Sequence, residues 1–249
     1  SIYGKAEYFN PGESVKDRAA LFIVRDALKK KLISKGGTIV EGTAGNTGIG
    51  LAIVCKEYDL KLKIVIPKTQ SIEKKDTLKK LGADLIEVDA VPYSDPKNYI
   101  KQSKQIADDL NKKDPHGVYW ANQFDNTINM AAHVETTAEE IWSQTAGSVD
   151  GFTCAVGTGG TLAGVSIGLK NKNKDIRIAL SDPMGSSLFS HIKNNKLESS
   201  GSSITEGIGT GRITKNFEKA LVDEAFQTND VEALNLVYDL IDNQKIVLG

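Results

Sequence analysis

Cysteine, histidine and long apolar runs are scarce in this chain, and each shortage excludes a class of protein. Its two cysteines, Cys55 and Cys154, are too few for a disulfide-rich secreted scaffold. Both lie in apolar runs far apart, so we expect buried free thiols and an intracellular protein of the cytoplasm or mitochondrion. The three histidines have no metal-ligand spacing, so we predict no metal site.

An excess of charge is also missing. The formal net charge is -1 and the sequence pI is about 6.3, which does not suit a nucleic-acid-binding or basic membrane surface. No apolar run reaches the roughly 18 residues that a membrane-spanning helix needs. Ile2 to Glu7 and Ile246 to Gly249 both read as strands, so we expect each end of the chain to lie inside structure. The absence of a targeting segment is then uninformative.

Apolar runs rich in β-branched residues alternate with helical patterns along the whole sequence. Residues 38–40, 63–66 and 152–156 are examples of the apolar runs, and each precedes a stretch with helical periodicity. This alternation predicts an α/β fold with mostly parallel sheets covered on both faces. Ligands of such folds bind at the carboxyl ends of the strands. Residues 182–212 show little periodicity, and we predict a long loop there.

One lysine stands at the predicted start of a helix. In the segment 9–18 a Pro-Gly turn is followed by Ser14 and, three residues later, Asp17, a spacing that predicts a capping box. Lys16 would then lie in the first turn, where the helix dipole disfavours a cation. Inside a closed site, burial would add to this and lower its pKa, giving the neutral amine that Schiff-base chemistry needs. A solvated lysine is the commoner alternative.

Two glycine-rich loops follow predicted strands. Residues 41–50 hold two threonines, an asparagine and several glycines before a helix, an arrangement that can bind a carboxylate or phosphate or can simply be a tight turn. Residues 157–161, Gly-Thr-Gly-Gly-Thr, open another helix and are the stronger anion signal. This loop has neither the Walker nor the Rossmann spacing, so we predict a phosphate that does not belong to a dinucleotide.

Two further loops have the composition of a ligand site. Residues 122–126 carry several amides that could orient a polar substrate, although amides are also ordinary turn residues. Residues 206–211 are dense in glycine and could let the backbone approach a flat ligand. Paired catalytic carboxylates and Ser/His/Asp or Cys/His groupings do not stand out in the sequence.

A reactive lysine, a phosphate loop and a carboxylate loop together describe a pyridoxal-phosphate enzyme that acts on an amino acid. The sequence resembles the cysteine synthase (O-acetylserine sulfhydrylase) family and its relative cystathionine β-synthase, in five ordered motifs: 10–18, 43–50, 123–126, 157–161 and 206–209. The resemblance covers essentially the whole chain. It implies fold type II, the tryptophan synthase β-like architecture of two open, mostly parallel α/β domains with the cofactor in the cleft between them.

The resemblance also implies domain bounds and an assembly. The larger, cofactor-binding domain would comprise residues 1–20 and 127–249, and the smaller mobile domain, which carries the asparagine loop, residues 21–126. We expect a homodimer. Its partners would be a small amino-acid substrate and a thiol or sulfide, with no nucleic acid, no membrane insertion and no metal.

Site residues follow from the resemblance, position by position. Lys16 would form the internal aldimine with pyridoxal 5′-phosphate, Asn46 would hydrogen-bond the ring oxygen, and Gly207 would lie near the cofactor. The phosphate would be bound by Gly157, Thr158, Gly159, Gly160 and Thr161. The substrate and its carboxylate would be bound by Thr43, Ala44, Gly45, Asn46, Thr47 and Gln123.

The implied reaction is β-replacement. Lys16 would remove the α-proton of O-acetylserine or a related serine derivative, acetate would leave to give an aminoacrylate, and sulfide would add to form cysteine. One alternative is cystathionine β-synthase, with serine and homocysteine as substrates. Another is a cofactor-binding paralogue with lost or altered activity, since Ala44 stands where the family usually has serine.

Overall fold

The chain folds as two α/β units, each with its own parallel sheet, in a computed structural model that describes residues 1–247. The units are Ser1–Ala132 and His133–Gly249. The predicted domain bounds, which group residues 1–20 with 127–249, differ from this division and stay a prediction. The predicted fold class, α/β with parallel sheets, is confirmed.

The first unit is built on a four-stranded sheet with the order β3-β2-β1-β4, in which every neighbouring pair is parallel. Its strands are β1 (Thr38–Gly42), β2 (Lys61–Pro67), β3 (Asp84–Val88) and β4 (Val118–Trp120). Its helices are α1 (Lys16–Lys29), α2 (Asn46–Glu57), α3 (Ile72–Lys80), α4 (Tyr99–Asn111) and α5 (Ile128–Ala132), preceded by a 3₁₀ turn at Glu7–Phe9.

Alternate residues of the central strands fill two cores, one on each face of this sheet. Ile39 and Ile64 pack with α1, α2 and α3, whereas Val40 and Val65 pack under α4. All four side chains are fully buried, which is worth about 1.5–3 kcal/mol for each large aliphatic side chain. The near-continuous apolar sequence of β1 and β2 is thus the signature of strands covered on both faces.

The second unit is built on a three-stranded parallel sheet with the order β5-β6-β7. Its strands are β5 (Gly151–Cys154), β6 (Arg177–Pro183) and β7 (Glu224–Thr228). Its helices are α6 (Ala138–Gln144), α7 (Gly160–Lys172), α8 (Leu188–Asn194) and α9 (Asp230–Asp239), with π-helical segments at His133–Thr137 and Leu240–Gln244 and a 3₁₀ turn at Phe217–Lys219. Helix α7 lies in the core, against Ile178 and Leu180 of β6.

Several local predictions were wrong. Residues 1–6 form no strand, and the predicted loop 182–212 contains α8. This helix starts because the carboxylate of Asp182 accepts a hydrogen bond from the Phe189 N–H at 2.7 Å and Leu188 is fully buried. Ile246 and Val247 are not in a strand, and the rest of that predicted strand lies outside the described residues. Cys55 is a buried free thiol as predicted, but Cys154 is only half-buried.

In the described part of the chain, none of the helices combines the length and the apolar character that crossing a bilayer requires. A cluster of three or more side chains suited to a metal ion is likewise not found within residues 1–247.

Candidate active site

A network of hydrogen bonds fixes the turn that leads into Lys16. Lys16 is the first residue of α1 and is half-buried. The carboxylate of Glu7 accepts two hydrogen bonds from the Arg18 guanidinium, at 2.9 and 3.0 Å, and a third from the Asn10 amide at 2.6 Å. Because Arg18 lies in the same helical turn as Lys16, this ion pair holds the start of α1 against the preceding segment.

The predicted capping box is wrong in its pairing. Ser14 Oγ accepts a hydrogen bond from the backbone N–H of Lys16 at 3.3 Å, but the carboxylate of Asp17 accepts from the N–H of Gly12. Between these residues, Glu13 has a φ of 57°, which lies in the left-handed region. Asp17 therefore ties the preceding turn to α1 and does not form a capping box with Ser14.

The carboxylate loop predicted at 43–47 lies between β1 and α2. Thr43 is buried, and its hydroxyl oxygen accepts a hydrogen bond from the N–H of Gly45 at 3.2 Å. Gly45 and Asn46, at the start of α2, are exposed. Ala44 is half-buried and packs against the core of this unit, so its methyl group is part of the packing. The N-terminus of a helix of 12 residues suits the binding of an anion.

Three buried polar side chains form a chain of hydrogen bonds next to this loop. The Thr47 hydroxyl donates to Gln123 Oε1 at 2.5 Å, and Gln123 Nε2 donates to Glu41 Oε1 at 3.2 Å. Each of the three side chains is buried. The structure thus brings together two residues that the sequence predicted, Thr47 and Gln123, and adds Glu41.

Glu41 was missed in the sequence. It ends an otherwise apolar run and is 1% exposed. Burial raises its pKa to about 8, against the opposing effect of hydrogen bonds from the Gln123 side chain and from the backbone N–H groups of Asn122 and Gln123. A charged residue at the end of an apolar strand was the signal that could have identified it.

Lys16 and the carboxylate loop belong to the same unit because α1 packs against α2. A Cβ atom added to Gly50 of α2 would lie 3.2 Å from the Cα of Asp17. Glycine favours this close approach, which occurs beside Lys16 and within the first turns of α2. The first unit, Ser1–Ala132, therefore contains Lys16, residues 43–47 and Gln123.

The predicted phosphate loop, residues 157–161, lies between β5 and α7 in the second unit. Gly159 is the N-cap of α7 and has a φ of 87°, and a Cβ atom there would lie 2.6 Å from the backbone nitrogen of Phe217. A Cβ atom at Gly157 would overlap the carbonyl oxygen of Gly207. Both positions therefore require glycine, and the backbone of Gly207 lies directly against the loop.

The two threonines of the loop are fixed by hydrogen bonds within the second unit. The Thr158 carbonyl accepts from the Thr214 hydroxyl at 2.7 Å. The Thr161 hydroxyl lies 3.3 Å from Nε2 of His133, whose Nδ1 lies 2.8 Å from the Thr137 hydroxyl. His133 is buried and begins the π-helical segment, a local geometry that is frequent at functional sites. The sequence did not indicate that His133 contacts the loop at 157–161.

These residues fit a phosphate group. The loop offers backbone N–H groups at the start of α7, a helix of 13 residues, together with the hydroxyls of Thr158 and Thr161. It contains no acidic side chain that would repel an anion. Its glycines place no side chain between these N–H groups and a phosphate.

A parallel α/β fold with a glycine-lined phosphate loop and a lysine at a helix start defines a class of protein that binds a phosphorylated cofactor and can hold it covalently. The chain belongs to the family described as pyridoxal-phosphate dependent enzyme, which it matches over residues 1–249. The predicted family and cofactor, pyridoxal 5′-phosphate, are confirmed.

Individual relatives resemble the chain along its whole length. It is 49% identical over 253 residues to cysteine synthase 1 of Neurospora crassa, covering 100% of this chain and 66% of the relative. It is 38% identical to cystathionine beta-synthase of Apis mellifera, covering 100% of this chain and 48% of the relative. The O-acetylserine dependent cystathionine beta-synthase from Helicobacter pylori superposes with a TM-score of 0.85 at 34% identity, covering 100% of this chain and 76% of that chain. The chain thus spans about two thirds of the length of the cysteine synthase it matches.

Proposed function

We propose that this protein synthesises cysteine by β-replacement, with O-acetylserine or a related serine derivative as the substrate and sulfide as the nucleophile. One observation carries the proposal. Lys16 at the start of α1 and a loop suited to an amino-acid carboxylate at the start of α2 lie in one unit, in which α1 packs against α2. The identity of 49% to a cysteine synthase supports the choice of reaction.

The cofactor and the residues of the chain supply different parts of the reaction. When bound, pyridoxal phosphate supplies an aldehyde that bonds to amines and a ring that accepts negative charge. Lys16 Nζ would hold the cofactor and then take the proton from the substrate Cα. Asn46 would hydrogen-bond the ring oxygen, residues 157–161 would hold the phosphate, and Gly207 would lie near the cofactor with its backbone facing the substrate amine.

The substrate carboxylate is oriented by the loop at the start of α2. Thr43, Thr47 and Gln123 provide donors, and so does Asn46, which is exposed at the start of α2. The buried position of the Thr47–Gln123 pair favours this role, because a buried donor loses little rotamer entropy on binding. Ala44 contributes only its backbone there, which changes the donors available relative to a serine.

The test is cysteine formation from O-acetylserine and sulfide by the purified, cofactor-loaded protein. Lys16→Ala should abolish turnover. Lys30→Ala is the matched control at the other end of α1, since Lys30 is exposed and its ion pair with Asp26 is a surface pair that contributes little to stability. Full cofactor loading of the wild type with no cysteine formed would reject the proposal.

Cystathionine synthesis is the second candidate, and the similarity to the Helicobacter pylori enzyme favours it. The two reactions share their first half and differ in the nucleophile that adds. Sulfide and homocysteine, offered separately at equal concentration after O-acetylserine or serine, distinguish them. Faster turnover with homocysteine would replace cysteine synthesis by cystathionine synthesis.

The remaining features are proposed for the protein as a whole. The larger, cofactor-binding domain comprises 1–20 and 127–249, and 21–126 form the mobile domain. The protein is a homodimer that works inside the cell, in the cytoplasm or mitochondrion. Sedimentation tests the dimer, and fractionation of cells tests the compartment.

A further inference from the structure

Glu41 is a buried carboxyl group whose hydrogen bonding is incomplete. Its Oε1 accepts from the Gln123 side chain at 3.2 Å and the backbone N–H groups of Asn122 and Gln123 also face the carboxyl group, but Oε2 has no partner of good hydrogen-bond geometry. Burying a carboxyl group in this way costs free energy. Stability alone therefore does not account for a glutamate at this position, which is 1% exposed.

The loop after β4 carries Gln123 over the carboxyl end of β1. The N–H of Ala121 donates to the carbonyl of Val40 at 3.0 Å, which extends the parallel pairing by one residue. Asn122 then turns with a φ of 50°, in the left-handed region. The backbone N–H groups of Asn122 and Gln123 are directed at the Glu41 carboxyl group by this turn. The Gln123 side chain consequently bridges Glu41 and Thr47.

The protonation of Glu41 decides which way the Gln123 amide can point. An ionised Glu41 only accepts, so Gln123 Nε2 must face it, and Gln123 Oε1 then receives the hydroxyl proton of Thr47. A protonated Glu41 can donate to the amide oxygen instead. The amide, turned by half a rotation, then donates to the Thr47 oxygen and leaves the Thr47 proton for another acceptor.

We propose that Glu41 is a positioning residue: through Gln123, it decides whether the Thr47 hydroxyl donates inward to the amide or outward to the carboxylate of an amino-acid substrate. This inference rests on the proposed function, in which Thr47 and Gln123 bind that carboxylate. The protonated form of Glu41 is the form that supports substrate binding.

The groups around Glu41 place this change in an accessible pH range. In β2 the residue in register with Glu41 is Ile64, which is apolar. Helix α4 contributes Tyr99, whose pKa is raised by burial and then by the charge of Glu41. The loop after β4 contributes only backbone N–H groups and the Gln123 amide. Burial outweighs these hydrogen bonds and raises the pKa of Glu41 to about 8.

The test is the pH dependence of serine binding to the cofactor-loaded protein, followed by the absorbance of the cofactor. Glu41→Gln keeps the size of the side chain and can both donate and accept at every pH. The ratio of the wild-type to the Glu41→Gln apparent Kd should rise about tenfold from about pH 7 to pH 9, as the competent fraction of the wild type falls. Taking the ratio cancels the ionisation of serine itself.

Thr47→Val gives a second reading that does not depend on the folding of Glu41→Gln. Without the hydroxyl, binding should be weaker at low pH and lack the change due to Glu41, so the wild-type to variant ratio should again rise about tenfold. Thr77→Val, on the exposed face of α3, is the control and should keep a constant ratio.

A constant ratio for either folded variant, Glu41→Gln or Thr47→Val, overturns the inference. A wild-type protein whose cofactor absorbance does not respond to serine at any pH contradicts the proposed function instead. The two failures are therefore distinguishable.

Discussion

Gly159→Ala should damage both the stability of the second unit and the phosphate loop. At a φ of 87° the added methyl group costs about 1–2 kcal/mol for the left-handed conformation. It would also lie 2.6 Å from the backbone nitrogen of Phe217, and forcing backbone apart costs about 1–3 kcal/mol more. We therefore expect a loss of about 2–5 kcal/mol in the free energy of unfolding.

Gly82→Ala is the matched control. Gly82 has a φ of 94°, but a Cβ atom there has no neighbour within 4 Å, so only the conformational cost of about 1–2 kcal/mol applies. The two tryptophans allow each unit to be followed separately, since Trp120 lies in the first unit and Trp142 in the second. Urea unfolding of the cofactor-free protein would be followed by the fluorescence of one tryptophan. For Gly159→Ala the background is Trp120→Phe, which leaves Trp142 in the second unit, and for Gly82→Ala it is Trp142→Phe, which leaves Trp120 in the first.

Cofactor binding provides the second measurement on the same variants. A displaced loop should weaken pyridoxal phosphate binding by at least about tenfold, which corresponds to about 1.4 kcal/mol. Gly82→Ala should leave the affinity unchanged. If Gly159→Ala destabilises no more than Gly82→Ala and keeps the wild-type affinity, the tight loop inferred from Phe217 is refuted.

Three further predictions concern single side chains. The folded state holds the proton of Glu41 with a pKa raised to about 8, so the contribution of Glu41 to stability is fully present below the ordinary pKa of 4.5 and is lost as the pH rises toward 8. Relative to Glu41→Gln, the cofactor-free wild type should lose up to about 1.4 kcal/mol per pH unit between these values, and parallel curves from urea unfolding would contradict this. Thr161→Val removes the hydroxyl that lies 3.3 Å from His133 Nε2 and should weaken cofactor binding by about 1–3 kcal/mol, whereas Thr161→Ser keeps a hydroxyl and should not. Equal affinities of the two variants in a cofactor titration would refute a role of this hydroxyl in binding. Burial raises the pKa of the Cys55 thiol to about 12, so alkylation at about pH 8 should modify Cys154 first. Peptide mapping that finds Cys55 modified at the same rate as Cys154 would contradict this prediction.

The features that could be predicted from the sequence are those set by residues that are close together along the chain. The strands 38–40 and 63–66 were predictable because strands buried on both faces must be apolar at every position. The tight turn at 157–161 was predictable because a left-handed turn and a close backbone approach both require glycine, and its binding of a phosphate stays a prediction.

The features that were missed depend on contacts between distant residues or on weak local patterns. Glu41 has its partner, Gln123, 82 residues away, and His133 meets Thr161 across 28 residues, so neither spacing is a local signal. Helix α8 has only 7 residues, too few for a clear helical period, and is anchored by Asp182, which lies before it on β6. In β7, exposed and buried residues are mixed, and its pairing with β6 supplies the structure that the sequence does not indicate.

The covalent bond between Lys16 and the cofactor is the central claim, and mass spectrometry tests it directly. Borohydride reduction of the cofactor-loaded protein makes such a bond permanent, and proteolysis then locates it. We predict one pyridoxyl phosphate group per chain, on the peptide that contains Lys16, and none on Lys16→Ala. A reduced cofactor found on another lysine, or released entirely from the wild-type chain, would contradict the account.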